Sequence, residues 1–154
     1  MTSLFLESDI QEISKRLAPL YPDIQGKTLL LTGGMGFLGH YFLQTILYLN
    51  QYMLNKPCRL IIIDNCISSS YKSINDSILF LKENICSPIS IDQPVDIVVH
   101  AAGIASPFYY QKYPLEAFEA STIGTKMMLE YAQKHSATFT FFSSSEIYGN
   151  PDPV

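Results

Sequence analysis

Four glycines crowd into seven positions of TLLLTGGMGFLGHYF, residues 28–42: Gly33, Gly34, Gly36 and Gly39. Glycine gives up more backbone entropy on folding than any other residue, so such a cluster implies that the bare main chain is needed there. Its chemistry would be anion binding, because the first amides of a helix lack intrahelical partners and lie at the positive end of the helix dipole. Gly33 would permit a tight turn, Gly36 would let the backbone approach a pyrophosphate with no Cβ in the way, and Gly39 would let the helix pack close. Taken alone, GxxGxxG is also compatible with a plain glycine-rich loop; its place between an apolar run and a helical segment argues against that. A second group is Asp64, which ends RLIIID roughly 25 positions beyond Gly39, where a carboxylate can accept from both ribose hydroxyls of an adenosine and repel a 2′-phosphate. Read alone, the pair Asp64-Asn65 is also ordinary turn chemistry. Together the glycines and the acid imply a dinucleotide, NAD rather than NADP.

These residues need a scaffold. Thr28–Leu31 and Arg59–Asp64 read as short, continuously apolar strands of the kind buried on both faces of a parallel sheet. Ser77–Leu81, Asp96–Val99 and Thr138–Phe142 read as three more. His40 to about Tyr52 is predicted to be a helix, as is Leu115–His135, with Leu115, Phe118, Thr122, Met127 and Tyr131 on one side. Residues 8–18 form an N-terminal helix by the spacing of Ile10, Ile13, Leu17 and Ala18, capped at Ser8 or Asp9 and ended by Pro19 and Pro22. Strands alternating with helices imply βαβ units and a doubly wound α/β fold. SSSYKS is a polar connection, and no internal repeat competes with this reading.

Composition narrows the class. The chain has 154 residues, 47% of them hydrophobic, enough for one core. A formal charge of -4 with no basic run excludes a phosphate-neutralising nucleic-acid surface. No stretch approaches the roughly 18 apolar residues of a membrane span, and Glu7 and Asp9 sit where a signal peptide would be basic and apolar. A soluble, cytoplasmic protein is expected. Cys58, Cys66 and Cys86 lack any CxxC spacing, so no zinc site or disulfide is expected.

With those residues in view, the chain from Lys27 onward resembles the extended short-chain dehydrogenases that modify nucleotide sugars, the NAD-dependent epimerase and dehydratase group, which have a Rossmann fold. TGGMGFLG resembles the family's TGGxGFIG, which implies that Gly33, Gly36, Phe37 and Leu38 meet the cofactor. IIIDN resembles its second-strand ending, with Asp64 and Asn65 at the adenosine ribose. FLKENI is similar to its F-x-x-x-D-[IVL] segment at the adenine; Asn84 replaces the Asp and Ile85 follows. VDIVVHAAG resembles the fourth strand and its small-residue turn, placing Ala101, Ala102 and Gly103 against NAD. STIGT stands where the family has NxxGT, with Ser121 for Asn.

FFSSSEIYGNP resembles the family's fifth strand and catalytic turn. That resemblance implies Ser143 near the nicotinamide, Ser144 bonded to the sugar O4 and Glu146 as an acid/base group; without it, the segment reads as a serine loop with a surface charge. The implied chemistry starts with oxidation at the sugar C4, whose proton needs a base, in the family a Tyr assisted by Lys in Y-x-x-x-K. The pattern occurs here at Tyr52–Lys56, on the wrong edge of the sheet, and is read as chance helix-end packing; the true pair is expected beyond Val154. The segment is therefore expected to be the N-terminal part of a longer enzyme and inactive by itself, with residues 1–26 a helical extension and 27–154 an incomplete NAD-binding domain whose open sheet edge invites pairing. Ser145, where dehydratases carry Asp, and IASPFYYQKYP, with Tyr109 and Tyr110 in a loop, favour the UDP-glucuronate decarboxylase branch over dehydration or epimerisation. Resemblance also implies a nucleotide-sugar substrate and a homodimer. A module that binds NAD(H) without catalysis is the alternative, given the departures at Asn84 and Ser121.

Overall fold

The computed structural model describes residues 6–69, 78–91 and 93–149, the side chains of Ser145 and Glu146 excepted. Five parallel strands carry it: β1 (Thr28–Thr32), β2 (Arg59–Ile63), β3 (Leu79–Leu81), β4 (Ile97–His100) and β5 (Thr138–Phe141), in the order β3-β2-β1-β4-β5. Successive side chains of a strand point to opposite faces, and here both faces are covered. Leu29, Leu31, Leu60 and Ile62 pack with Leu43, Ile46 and Leu49 of helix α3 (Phe37–Tyr52). Leu30, Ile61, Ile63 and Val98 pack on the other face with Met128 and Ala132 of helix α6 (Thr125–His135). Each such buried aliphatic side chain contributes about 2 kcal/mol. This is the doubly wound α/β fold that the apolar runs imply, and its strand order reverses between β1 and β4.

Upstream, α1 (Glu7–Arg16) lies on α3, with Ile10 buried and the Tyr41 hydroxyl donating to the Asp9 carboxylate at 3.0 Å. Its N-cap is Leu6, with no side-chain cap, so Ser8 and Asp9 lie inside the helix rather than capping it. Pro19 and Pro22 do follow the end of α1, but each also opens a further helical turn, in a 3₁₀ segment (Ala18–Leu20) and in α2 (Tyr21–Ile24). Proline's fixed φ suits a first turn, where its missing N–H leaves no bond unmade. The expected third strand starts at Leu79; Ser77 lies outside the described residues.

The long helix departs most from the expected pattern. It is assembled from α5 (Pro114–Glu119), a π turn (Ala120–Gly124) and α6. Leu115 is 72% exposed and Phe118 66%, whereas the buried seam is Gly124, Met128 and Ala132. A π turn inserts a residue into the ladder, and the expected side divides there: Leu115, Phe118 and Thr122 are exposed, whereas Met127 and Tyr131, partly buried, pack beside Met128 and Ala132. Three hydroxyls bond back to the carbonyl four residues earlier here: Ser121 to Ala117, Thr122 to Phe118 and Thr125 to Ser121, at 2.9, 2.8 and 3.0 Å. Such back-bonding bends helices. A short α4 (Pro107–Lys112) also replaces the expected loop around Tyr109 and Tyr110, opened by Pro107 at its first turn.

A candidate dinucleotide-binding cleft at the switch point

In an open parallel sheet, ligands bind outside the carboxyl ends of the strands, where the order reverses. A cleft of about 340 Å³ lies there, between the turns that follow β1, β2, β3 and β4. Its floor is the glycine turn. Gly33 has φ +72°, the left-handed region that favours glycine. A side chain on it would also collide with Ala102 Cα at 2.7 Å and the Ala101 carbonyl oxygen at 2.8 Å. The turns after β1 and β4 thus approach as closely as main chains can. The Gly36 N–H donates to the Gly33 carbonyl at 3.1 Å, closing the turn.

Gly36 is the N-cap of α3, and no side chain caps the helix. Its first amides, from Phe37 onward, thus have no side-chain cap, and residues Gly36 to Gly39 line the cleft at the positive end of the helix dipole. Phe37 and Leu38 line the cleft with exposed side chains. Gly39 is held against the turn itself rather than the sheet: a Cβ there would overlap the Gly33 carbonyl and lie 2.6 Å from Gly34 Cα. Gly34, for which the spacing assigns no role, sits on β2, since a Cβ would meet Ile62 Cγ2 at 2.5 Å.

Asp64 stands at the end of β2 in the same cleft. One carboxylate oxygen accepts the Met35 N–H at 2.9 Å and the other the Cys66 N–H at 2.7 Å. Asn65 accepts from the Ile67 amide, and Asn84 from the Cys86 amide, each at 3.0 Å. Beside Asn84, Ile85 is buried under Gly124 of the π turn, where an added Cβ would come within 2.5 Å of Ile85 Cδ1. Ala101, Ala102 and Gly103 complete the lining. Glu83, Glu116 and Glu119 add carboxylates to that of Asp64, and among the described lining residues there is no Lys or Arg. A bound phosphate would rest on main-chain amides and the helix dipole.

Of the residues singled out in the sequence, the cleft gathers Gly33, Gly36, Phe37, Leu38, Asp64, Asn65, Asn84, Ile85, Ala101, Ala102 and Gly103. Ser143 and Ser144 follow β5 at the same end of the sheet, exposed and outside that lining. Glu146 belongs to a 3₁₀ turn (Ser145–Tyr148), and its side chain lies outside the described residues. Tyr52 and Lys56 are at the other edge: Lys56 precedes β2, and its carbonyl accepts the N–H of Gly26, which precedes β1, at 2.9 Å. The three cysteines are free. Burial raises the Cys58 thiol pKa, and Cys58 Sγ donates to the Ile24 carbonyl.

The sequence model of the NAD dependent epimerase/dehydratase family matches residues 29–154. The chain belongs to this family. The match spans the segment from Gly33 to Gly103, and the family is one of nucleotide-sugar-modifying enzymes. Among curated relatives, the chain is 26% identical to UDP-glucuronic acid decarboxylase 1 of Xenopus tropicalis over 158 aligned residues, which cover 96% of this chain and 35% of that protein. It therefore spans about a third of that relative's length. Among solved structures, it superposes on a UDP-galactose 4-epimerase with TM-score 0.67 at 23% identity, covering 82% of this chain and 41% of the other. The UDP-glucose-4-epimerase of Stenotrophomonas maltophila, solved with bound NAD and formylated UDP-arabinopyranose, superposes with TM-score 0.58 at 23% identity over 82% and 40%. At these identities the structural likenesses establish the fold alone.

Two features of the family member's site were not read from its sequence. One is the bond from Asp64 to Met35. The other is a buried polar chain through Thr32, His100 and Thr125, whose only trace in the sequence is that each residue is polar at or beside an apolar run. Periodicity has no means of pairing them.

Proposed function

We propose that this chain binds NAD in the switch-point cleft and forms the cofactor half of an enzyme acting on nucleotide sugars. The observation that carries the reading is the convergence of a left-handed Gly33, an uncapped α3 and the Asp64 carboxylate on one cleft. The residues fit the cofactor: a Cβ-free cradle admits a pyrophosphate to the α3 amides, and Asp64 retains lone pairs for ribose hydroxyls beyond the two amides it binds. Asn84 and Ile85 would take the adenine, and Ala101, Ala102 and Gly103 the inner wall, with Ser143 toward the nicotinamide. Bound there, NAD would supply a hydride acceptor for oxidation at the sugar C4. Ser144 would bond the sugar O4, and Glu146 would exchange a proton near the reacting carbons.

The decarboxylase outcome is favoured. The similarity to a UDP-glucuronic acid decarboxylase supports it, as does Ser145 at the place where an acid would assist water loss. A homodimer through the long helices is part of this reading, supported by the exposed Leu115, Phe118 and Leu129.

Calorimetric titration of the full-length protein with NAD, followed by incubation with a panel of nucleotide sugars and product masses, tests it. Heat with NAD and loss of carbon dioxide from a uronate are expected. Loss of water or an unchanged mass with altered stereochemistry would move the assignment to the dehydratase or epimerase branch. Binding without any product would leave the non-catalytic NAD(H)-binding module, and no heat would overturn the cleft's assignment.

A further inference from the structure

His100 closes β4 and is 1% exposed, and it is not itself among the residues that line the cleft. Its ring lies against Phe139 and Phe141 of β5, with centroids 6.0 and 5.7 Å away. Burial pushes its pKa down to about 4, so at neutral pH only one ring nitrogen carries a proton. Nδ1 is 2.7 Å from the Thr32 hydroxyl and Nε2 is 3.1 Å from that of Thr125. These two distances leave the tautomer open.

The ends of the chain point to one of the two. Thr125 Oγ1 donates its single proton to the Ser121 carbonyl in the π turn at 3.0 Å, and a carbonyl can only accept. With its proton placed there, Thr125 accepts from His100, which assigns the ring proton to Nε2. Bare Nδ1 then accepts from the Thr32 hydroxyl, leaving a Thr32 lone pair to receive the Ala102 main-chain N–H at 3.2 Å. The polar groups bond in one sense only, from Ala102 through Thr32, His100 and Thr125 to Ser121. The chain joins the turn that walls the cleft to the π turn of the long helix.

We propose that His100, as the Nε2–H tautomer, is a positioning residue that sets the Ala101–Gly103 turn for the cofactor and anchors it to the π turn. This rests on the reading of the cleft as an NAD site. If His100 served only to fill space between β4 and β5, an apolar ring of similar size would do as well. If it positions the turn, removing either end of the chain should weaken NAD binding.

The test uses the full-length protein, with His100→Phe, Thr125→Val and Thr125→Ser, NAD calorimetry on each, and ¹⁵N imidazole spectra of the parent. The parent ring is expected to carry its proton on Nε2 and not to titrate from about pH 8 to about pH 5. The NAD Kd is expected to rise about tenfold in His100→Phe and in Thr125→Val, the effect of leaving a buried polar group unpaired. Thr125→Ser, which restores the hydroxyl, is expected to bind within about twofold of the parent. A proton on Nδ1, or folded variants that bind NAD as the parent does, would overturn the proposal while leaving the NAD site standing. A parent that binds no NAD would instead overturn the site assignment and this proposal with it. Should His100→Phe fail to fold, the half-buried Thr125 pair decides.

Discussion

The Asp64 carboxylate at the end of β2 accepts the main-chain N–H of Met35, in the glycine turn after β1, at 2.9 Å. The acid assigned to the ribose thereby braces the turn assigned to the pyrophosphate. Its second oxygen holds the Cys66 N–H, so the loops after β1 and β2 are tied through one side chain. A carboxylate offers about four lone-pair sites, which leaves room for ribose hydroxyls as well. The two halves of the cleft are mechanically one.

Asp64→Ala in the full-length protein is therefore expected to weaken NAD binding by about ten- to a hundredfold, from the loss of charge-assisted hydrogen bonds to ligand and turn together. Asp64→Asn keeps an acceptor for one amide but loses the charge, so it should fall between and narrow the preference for NAD over NADP. Calorimetry with both coenzymes reads this. An unchanged Kd in Asp64→Ala would remove Asp64 from the ribose site.

Two glycine-to-alanine changes should separate packing from ligand contact. At Gly39 the new methyl meets the backbone of Gly33 and Gly34, which cannot swing aside; a loss of about 1–3 kcal/mol in stability is expected, as for other overpacked sites. At Gly103 it meets nothing within 4 Å, and φ is not left-handed. Thermal stability there should hold while NAD affinity falls several-fold, since the methyl would occupy the cleft wall. Equal affinity in Gly103→Ala would place the cofactor elsewhere.

Acid should destabilise the fold in two stages. His100 has a folded-state pKa near 4 against 6.5 when exposed, so the unfolded chain takes up its proton first. Stability is then intact above about pH 6.5 and is lost as pH falls toward 4, by about 3 kcal/mol in the limit. Asp96 follows at lower pH. The Thr28 N–H, and then Lys27, hold its pKa below the usual 3.8, so its contribution is present above that value and disappears below it. Urea denaturation across this range should show both, and His100→Phe should abolish only the first. A flat profile between pH 6.5 and 4 would show that His100 is not held neutral.

Ser144→Ala and Glu146→Gln are expected to lower turnover of the full-length enzyme by about a hundredfold each, the scale of a lost acid–base contact. Neither should alter the NAD Kd, because Ser144 lies outside the cleft lining and Glu146 is assigned to the sugar. Tyr52→Phe and Lys56→Ala serve as controls and should leave turnover as it is, being at the amino-terminal edge of the sheet. Lost activity in the control pair would mean that the Y-x-x-x-K at Tyr52 is functional after all.

Much of the cleft was legible because its signals are local. An apolar run of strand length, a left-handed turn that only glycine tolerates and an acid just past the next strand each announce themselves within a few residues. The long helix was legible as a helix but not in its exposed face. The expected side holds at Met127 and Tyr131, which pack on the core, and fails at Leu115 and Phe118, which lie before the π turn at Ala120–Gly124 and are exposed.

From its sequence alone, then, this protein declared a parallel α/β sheet, a glycine turn between the first strand and the helix that follows it, and an acid, Asp64, at the end of the second strand, since neighbouring residues along the chain determine these. Only the tertiary structure showed that Asp64 clamps Met35 and that Ala102, Thr32, His100, Thr125 and Ser121 share one chain of hydrogen bonds. Partners such as Thr32 and His100 are 68 positions apart. Such pairs meet only when strands align in register, as Thr32 and His100 do across β1 and β4.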